Sequence, residues 1–272
     1  MSDYTVRKEQ AGLAVKTLLA ETLGLSRREI SRLNSARGIL VNGESVRLTE
    51  ILSEGDAITL VFAEKDLKKQ QLLDGKPEIL YEDRNLVIVN KPCGMPCHAS
   101  KEHQGDDMGT VLQKYYGNSF RIRPVGRLDK EVSGAMLYAK NQNTAKELSK
   151  DQDEAAVRKE YLAFVEGSFH QKKGNLSYFN DDGKHCSTDY ELVEKYDGYS
   201  LLKVRIKTGR THQIREGMAR FSHPLLGDAR YGGSREKIAR TALHCAKITI
   251  KTGKDSITVT CPMPSDMEAL RQ

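Results

Sequence analysis

The segment Gly126-Arg127-Leu128-Asp129-Lys130-Glu131-Val132-Ser133-Gly134 sets a carboxylate beside a guanidinium in a turn, just ahead of the apolar run Ala135-Met136-Leu137-Tyr138-Ala139. An Asp at the lip of a buried strand, held by an Arg, suits a nucleophile. The same pair also pins ordinary turns, and the segment alone leaves both readings open. Two further segments add weight: Gly209-Arg210-Thr211-His212-Gln213-Ile214-Arg215, rich in cations, and Asn90-Lys91-Pro92-Cys93-Gly94. Cys93 and Cys97-His98 together invite a metal reading, but no second ligand pair of the usual spacing follows, and free thiols are the expectation. No phosphate-cradling P-loop occurs in the chain.

These residues need a scaffold, and 272 residues allow one large domain or a medium one with a small appendage. No apolar run approaches the length of a membrane span, so no membrane partner is expected. The start Met1-Ser2-Asp3-Tyr4 leads into charged residues and lacks a signal-peptide pattern, and the five cysteines are odd in number and unpaired in spacing. Both point to a cytoplasmic protein. The net charge of +6 tilts the surface toward a polyanionic partner.

Residues 1–64 form a first unit. Leu13, Val15, Leu18, Leu19 and Leu23 recur at helical spacing, predicting a helix over 13–23 that Gly24 ends. Ser26 and Glu29 make a capping box for a second helix carrying Arg27, Arg28 and Arg32, with Arg37 just beyond it. A strand over 38–41, an Asn42-Gly43 hairpin turn and a strand over 57–62 complete the unit. Residues 65–77 are polar and charged and are expected to be a linker.

Residues 78–272 are expected to be a larger unit. Strand signals at 79–81 and 86–89 flank a turn, 190–194 pairs with 201–206 across Asp197-Gly198, and 243–250 precedes 257–260. Tyr161 lies on a strand over 161–165, and helices are predicted over 143–149 and 211–221, the latter with Thr211 near its N-cap. Consecutive hairpins argue for an α+β fold, with a mixed, largely antiparallel sheet and flanking helices around a central cleft, plus the small N-terminal α/β unit.

In order and spacing, the three motif segments resemble those of the RluA-type RNA pseudouridine synthases. So do Lys159-Glu160-Tyr161, His223-Pro224-Leu225-Leu226-Gly227-Asp228 and Leu243-His244. The first unit resembles the RNA-binding fold of ribosomal protein S-four, through Arg27 and its helix, Val41-Asn42-Gly43 and Gly55-Asp56-Ala57-Ile58. The resemblance implies an enzyme that isomerises uridine to pseudouridine in structured RNA. It implies no cofactor, no metal and no obligate protein partner. Large-subunit ribosomal RNA is the favoured substrate, with transfer RNA open.

Carried over residue by residue, Asp129 would be the catalytic carboxylate, Arg215 its charge partner, and Tyr161 the ring that stacks on the target base. Arg127 would help displace the target nucleotide, and Arg27, Arg28, Arg32, Arg37 and Arg210 would contact RNA. The chain departs from the common family pattern at Gly126, where His is usual, and at Val132, where Thr is common. Two other classes stand beside this reading: a non-catalytic RNA-binding or ribosome-assembly factor, and a metal-dependent hydrolase.

Overall fold

The computed structural model describes residues 2–25, 27–61, 76–99, 105–117, 119, 121–149, 156–252 and 255–272. The chain separates into two compact units, Met1–Asp74 and Gly75–Gln272. Most of the expected linker lies outside the described residues.

The first unit is a sheet of four strands, β1 (Ser2–Thr5), β2 (Ile39–Val41), β3 (Glu44–Ser45) and β4 (Ala57–Leu60), in the order β1-β4-β2-β3. Asn42 and Gly43 both take positive φ, 52° and 87°, which is the backbone that turns β2 tightly into β3. The expected helix over 13–23 is shorter. Ala14 bridges Ile51 and Leu13 accepts from the Leu52 amide at 2.9 Å, so extended pairing holds the chain until α1 (Val15–Thr17). That turn runs on as a π-helical stretch to Thr22, and Val15, Leu18 and Leu19 are buried against Ile58 in the core. The second helix, α2 (Arg27–Ser35), is present, with Ile30 and Leu33 turned inward. Arg27 and Arg37 are exposed. Ser26 and the side chains of Glu29, Arg28 and Arg32 lie outside the described residues, so the capping box has no structural counterpart to compare.

The second unit is built on one large sheet. Its strands are β5 (Ile79–Glu82), β6 (Leu86–Lys91), β7 (Arg123–Pro124), β8 (Ser133–Ala139), β9 (Val157–Glu166), β10 (Lys173–Phe179), β11 (His185–Tyr196), β12 (Tyr199–Ile206), β13 (Leu243–Thr252) and β14 (Asp255–Thr260). The order is β10-β11-β12-β9-β13-β8-β6-β5, with β14 on β13 and β7 on β8. Every named pairing is antiparallel except β8 with β13. All residues of β8 are buried, as a continuous apolar strand covered on both faces should be.

Helices α3 (Met108–Tyr116), α4 (Gln142–Ser149), α5 (Gln213–Arg220) and α6 (Ser265–Glu268) accompany the sheet. Helix α3 starts at Asp107, whose carboxylate accepts from the Thr110 amide at 3.0 Å and hydroxyl at 2.8 Å. The mixed α+β architecture is therefore the one the hairpin signals predict. The start of α5 differs: its N-cap is His212, in the left-handed region at φ 54°, and not Thr211. The cause is Gln213, whose side-chain oxygen accepts from the Arg210 amide at 3.1 Å and the Thr208 hydroxyl at 2.7 Å. That turn occupies the residues before His212, and the helix begins after it.

Candidate active site

The 126–132 loop leads from β7 into β8 and is tied down by its own backbone and by the 91–97 segment. The Val132 amide donates to the Asp129 carbonyl at 3.1 Å, and the Gly94 amide to the Lys130 carbonyl at 2.7 Å. The Leu128 amide donates to Cys97 Sγ at 3.2 Å, while that thiol lies 3.1 Å from the Leu128 carbonyl. Cys93 Sγ donates to the Glu131 carbonyl at 3.2 Å. Both thiols thus turn toward the loop's main chain. Beneath them Lys91 is fully buried, its ammonium donating to the carbonyls of Pro92 at 2.9 Å, Met95 at 2.7 Å and Lys130 at 3.4 Å. Burial pulls that ammonium down to about 8, with nearby Cys97 and Cys93 opposing the shift.

Held this way, Asp129 sits on the wall of a cleft of about 490 Å³ that Arg127, Tyr161, Arg210, His212 and Arg215 also line. Asp129 is reached by two cationic or potentially cationic groups. Arg215 Nη1 lies 3.5 Å from its Oδ2, and His212 Nε2 lies 3.8 Å from the same oxygen. Arg215 is 5% exposed on α5, and its stronger bonds go elsewhere. Its Nε and Nη2 donate to the two oxygens of Asp228 at 2.6 and 2.7 Å, a bidentate pair with a carboxylate that is 1% exposed. Burial alone would pull the Arg215 guanidinium down; Asp228, with Asp129 beside it, holds it above the ordinary arginine value. Arg215 is therefore shared, with Asp228 as its hydrogen-bonded partner and Asp129 at longer range.

His212 donates to or accepts from Tyr231 Oη through Nδ1 at 3.0 Å, which aims Nε2 at Asp129. Burial and the neighbouring Arg215 lower its affinity for a proton, and Asp129 opposes them less strongly than burial acts. Tyr231 also lies under the Arg215 guanidinium, 5.4 Å from its ring centre. Tyr161, on β9, is 4% exposed, and burial pushes its phenol well above the usual value, with Cys245 and Asp129 adding to the effect. It stays a protonated donor. The backbone allows this crowding because Gly126 takes φ 70° and Gly134 takes φ 112°. A Cβ on Gly134 would stand 2.4 Å from the Cys245 carbonyl oxygen, where β8 meets β13.

The structure thus gathers Asp129, Tyr161, Arg215, Arg127 and Arg210 around one cleft of the second unit. Arg27 and Arg37 lie on the first unit and are described with it. Among the residues of the site with no assigned role from the sequence are Asp228 and Tyr231. Their signal was present as the Gly227-Asp228 and Tyr231-Gly232 strings, but a string does not say which cation it meets.

A carboxylate walled by two basic groups and a buried phenol, lining one cleft on a mixed sheet, makes this the candidate active site. The family model for RNA pseudouridylate synthase matches residues 85–220, and that for the RluD ribosomal pseudouridine synthase N-terminal domain matches residues 3–58. The chain is 31% identical over 278 residues to the uncharacterized RNA pseudouridine synthase YjbO of Bacillus subtilis, covering 95% of this chain and 98% of that one. It is 33% identical over 260 residues to ribosomal large subunit pseudouridine synthase D of Borreliella burgdorferi, covering 85% and 79%. The solved structure of human RNA pseudouridylate synthase domain containing 1 superposes with a TM-score of 0.57 at 26% identity, covering 70% of this chain and 84% of that one. The chain belongs to the RNA pseudouridylate synthase family, as an RluA-type member with an S-four-like N-terminal RNA-binding domain.

Proposed function

We propose that this enzyme isomerises specific uridines of large-subunit ribosomal RNA, with Asp129 as the catalytic carboxylate. The observation that carries the reading is the placement of Asp129 on the cleft wall, 3.5 Å from a buried Arg215 that Asp228 holds in place. A carboxylate there faces the sugar of a nucleotide drawn out of its stack. The bond from ribose C1′ to N1 of the base breaks, the base turns, and a bond from C1′ to C5 forms. The C5 proton leaves and N1 gains one, so atoms and charge balance without a redox partner.

Tyr161 supplies a ring for the extruded base to stack on. Arg127, exposed on the cleft wall, fills the space the base vacates in this reading, and Arg210 meets the backbone. Arg27, Arg28, Arg32 and Arg37 of the first unit are the phosphate contacts that bring residues 1–64 to the RNA. Support for the ribosomal substrate comes from the N-terminal family model and from relatives named ribosomal large subunit pseudouridine synthase D. Transfer RNA is the second reading. The odd count and unpaired spacing of the five cysteines favour a cytoplasmic site of action.

The test is conversion of RNA taken from cells lacking this gene, with pseudouridine mapped at nucleotide resolution. The purified protein is expected to restore pseudouridine in large-subunit ribosomal RNA without added cofactor, and Asp129→Asn to bind that RNA and convert none. Full conversion by Asp129→Asn would refute the assigned mechanism, and conversion confined to transfer RNA would refute the substrate.

A further inference from the structure

Strand β9 turns alternate residues to opposite sides of the sheet. Glu160 faces away from the cleft, where Arg205 Nε donates to it at 2.9 Å and Lys247 Nζ stands 3.2 Å away. Lys159 and Tyr161, on either side of it, both line the cleft that holds Asp129. Other lysines of this unit have acidic partners: Lys207 has Asp189 and Lys173 has Glu191, each at 3.1 Å. Among the described residues, no carboxylate stands within ion-pair distance of the Lys159 ammonium. The neighbouring acid, Asp129, is engaged by Arg215 and His212.

That ammonium lies against a position where the chain carries no side chain. A Cβ on Gly126 would lie 3.2 Å from Lys159 Nζ, closer than such atoms comfortably sit. Lys159 therefore stands directly over the Gly126-Arg127-Leu128-Asp129 turn, half-buried beside Val125, Ala156 and Val157 of the cleft wall. A cation held in partly apolar surroundings, with no carboxylate of the described residues at ion-pair distance, is stabilised by an anion that arrives from outside. In RNA that anion is the phosphodiester, and the group nearest a base seated on Tyr161 belongs to the target nucleotide.

We propose that Lys159 is a substrate-binding residue whose ammonium takes the phosphodiester of the target nucleotide, in space that Gly126 leaves open. This rests on the reading of Asp129 and Tyr161 given above. The arrangement makes the departure at Gly126 part of the binding site: the turn gives up a side chain, and a lysine from β9 stands in its place.

The test uses the full-length protein and RNA from cells lacking the gene, with initial rates at the mapped uridine followed against RNA and KCl concentrations. Lys159→Met keeps the length of the side chain and removes the charge. It is expected to raise KM about tenfold, the loss of one charge-assisted hydrogen bond, with the effect falling on KM and not on kcat. The slope of log KM against log salt should fall by about 0.7, the signature of one phosphate contact on a single strand. Lys159→Arg should restore most of both. A KM increase with an unchanged salt slope would mark Lys159 as structural. A drop in kcat at constant KM would move it to the chemistry, and an unchanged variant would remove it from the site; each result overturns the proposal. A wild-type protein that converts no uridine refutes the proposed function instead, so the two failures are told apart.

Discussion

Asp228→Asn is the most informative perturbation of this site, because Asp228 touches Asp129, the proposed catalytic carboxylate, only through Arg215. The change keeps the volume and removes the charge. Arg215 is 5% exposed and gives Asp228 two bonds, at 2.6 and 2.7 Å. Leaving such a buried cation without its acid costs about 3–5 kcal/mol of stability. Part of that is recovered, because Asp129 stands 3.5 Å from Arg215 Nη1 and can be drawn closer. At an effective dielectric of about 20, closing that gap to hydrogen-bonding distance adds about 1 kcal/mol of attraction, which weakens the carboxylate as a nucleophile about fivefold.

Displacing the reacting oxygen by a fraction of an ångström compounds the loss, so turnover should fall about 10- to 100-fold. The assays are urea unfolding and single-turnover pseudouridine formation, in the wild-type background and with Arg215→Met. In the Arg215→Met background the Asp228 change should have little further effect on rate, since the two act as a unit. Wild-type stability and rate for Asp228→Asn, or two losses that simply multiply, would refute the reasoning.

Two further substitutions probe the scaffold. Lys91→Met strips three carbonyls of their donor and should cost about 1–3 kcal/mol. The Lys91 ammonium titrates at about 8 in the folded protein against 10.5 when unperturbed. Below pH 8 both states carry the proton and the cost of burying it is fully present; from pH 8 to 10.5 the unfolded chain binds a proton the folded one has shed. Wild-type stability relative to Lys91→Met should therefore rise across that window, and urea midpoints that keep a constant difference would contradict it. Gly134→Ala places a methyl 2.4 Å from the Cys245 carbonyl oxygen at φ 112° and should cost on the order of 3 kcal/mol, visible as a lower melting temperature; an unchanged one would show that β8 and β13 can separate freely.

Much of this was legible in the chain. Period-two patterns and turn residues gave most strands of the large sheet, because antiparallel hairpins are local. The motif strings named Asp129, Tyr161 and Arg215, which line one cleft. What was hidden is what depends on distant partners. Helix length at 13–23 was lost to pairing between Leu13 and Leu52, which no local periodicity encodes. β1 was missed because four polar-rich residues become a strand only beside β4. Helix α3 had its start signal in Asp107, yet only three buried residues, Met108, Val111 and Leu112, to mark its face. At the site, Arg215 was assigned one acid and has two. A sequence shows that an arginine needs a counter-charge, but which carboxylate comes within 2.7 Å is decided by the fold.

The single parallel contact in the large sheet rests on two residue pairs, His244 with Ser133 and Cys245 with Gly134. Strands β5 to β8 on one side, and β9 to β14 on the other, are each knit by antiparallel pairings. The Asp129 loop hangs from the first group, whereas Tyr161, Arg215 and Asp228 belong to the second. Ser133 and His244 are 111 residues apart in the chain, and their side chains meet at 3.0 Å. The residues that meet at the cleft therefore come from both sides of one seam, and the site is complete only where β8 and β13 join.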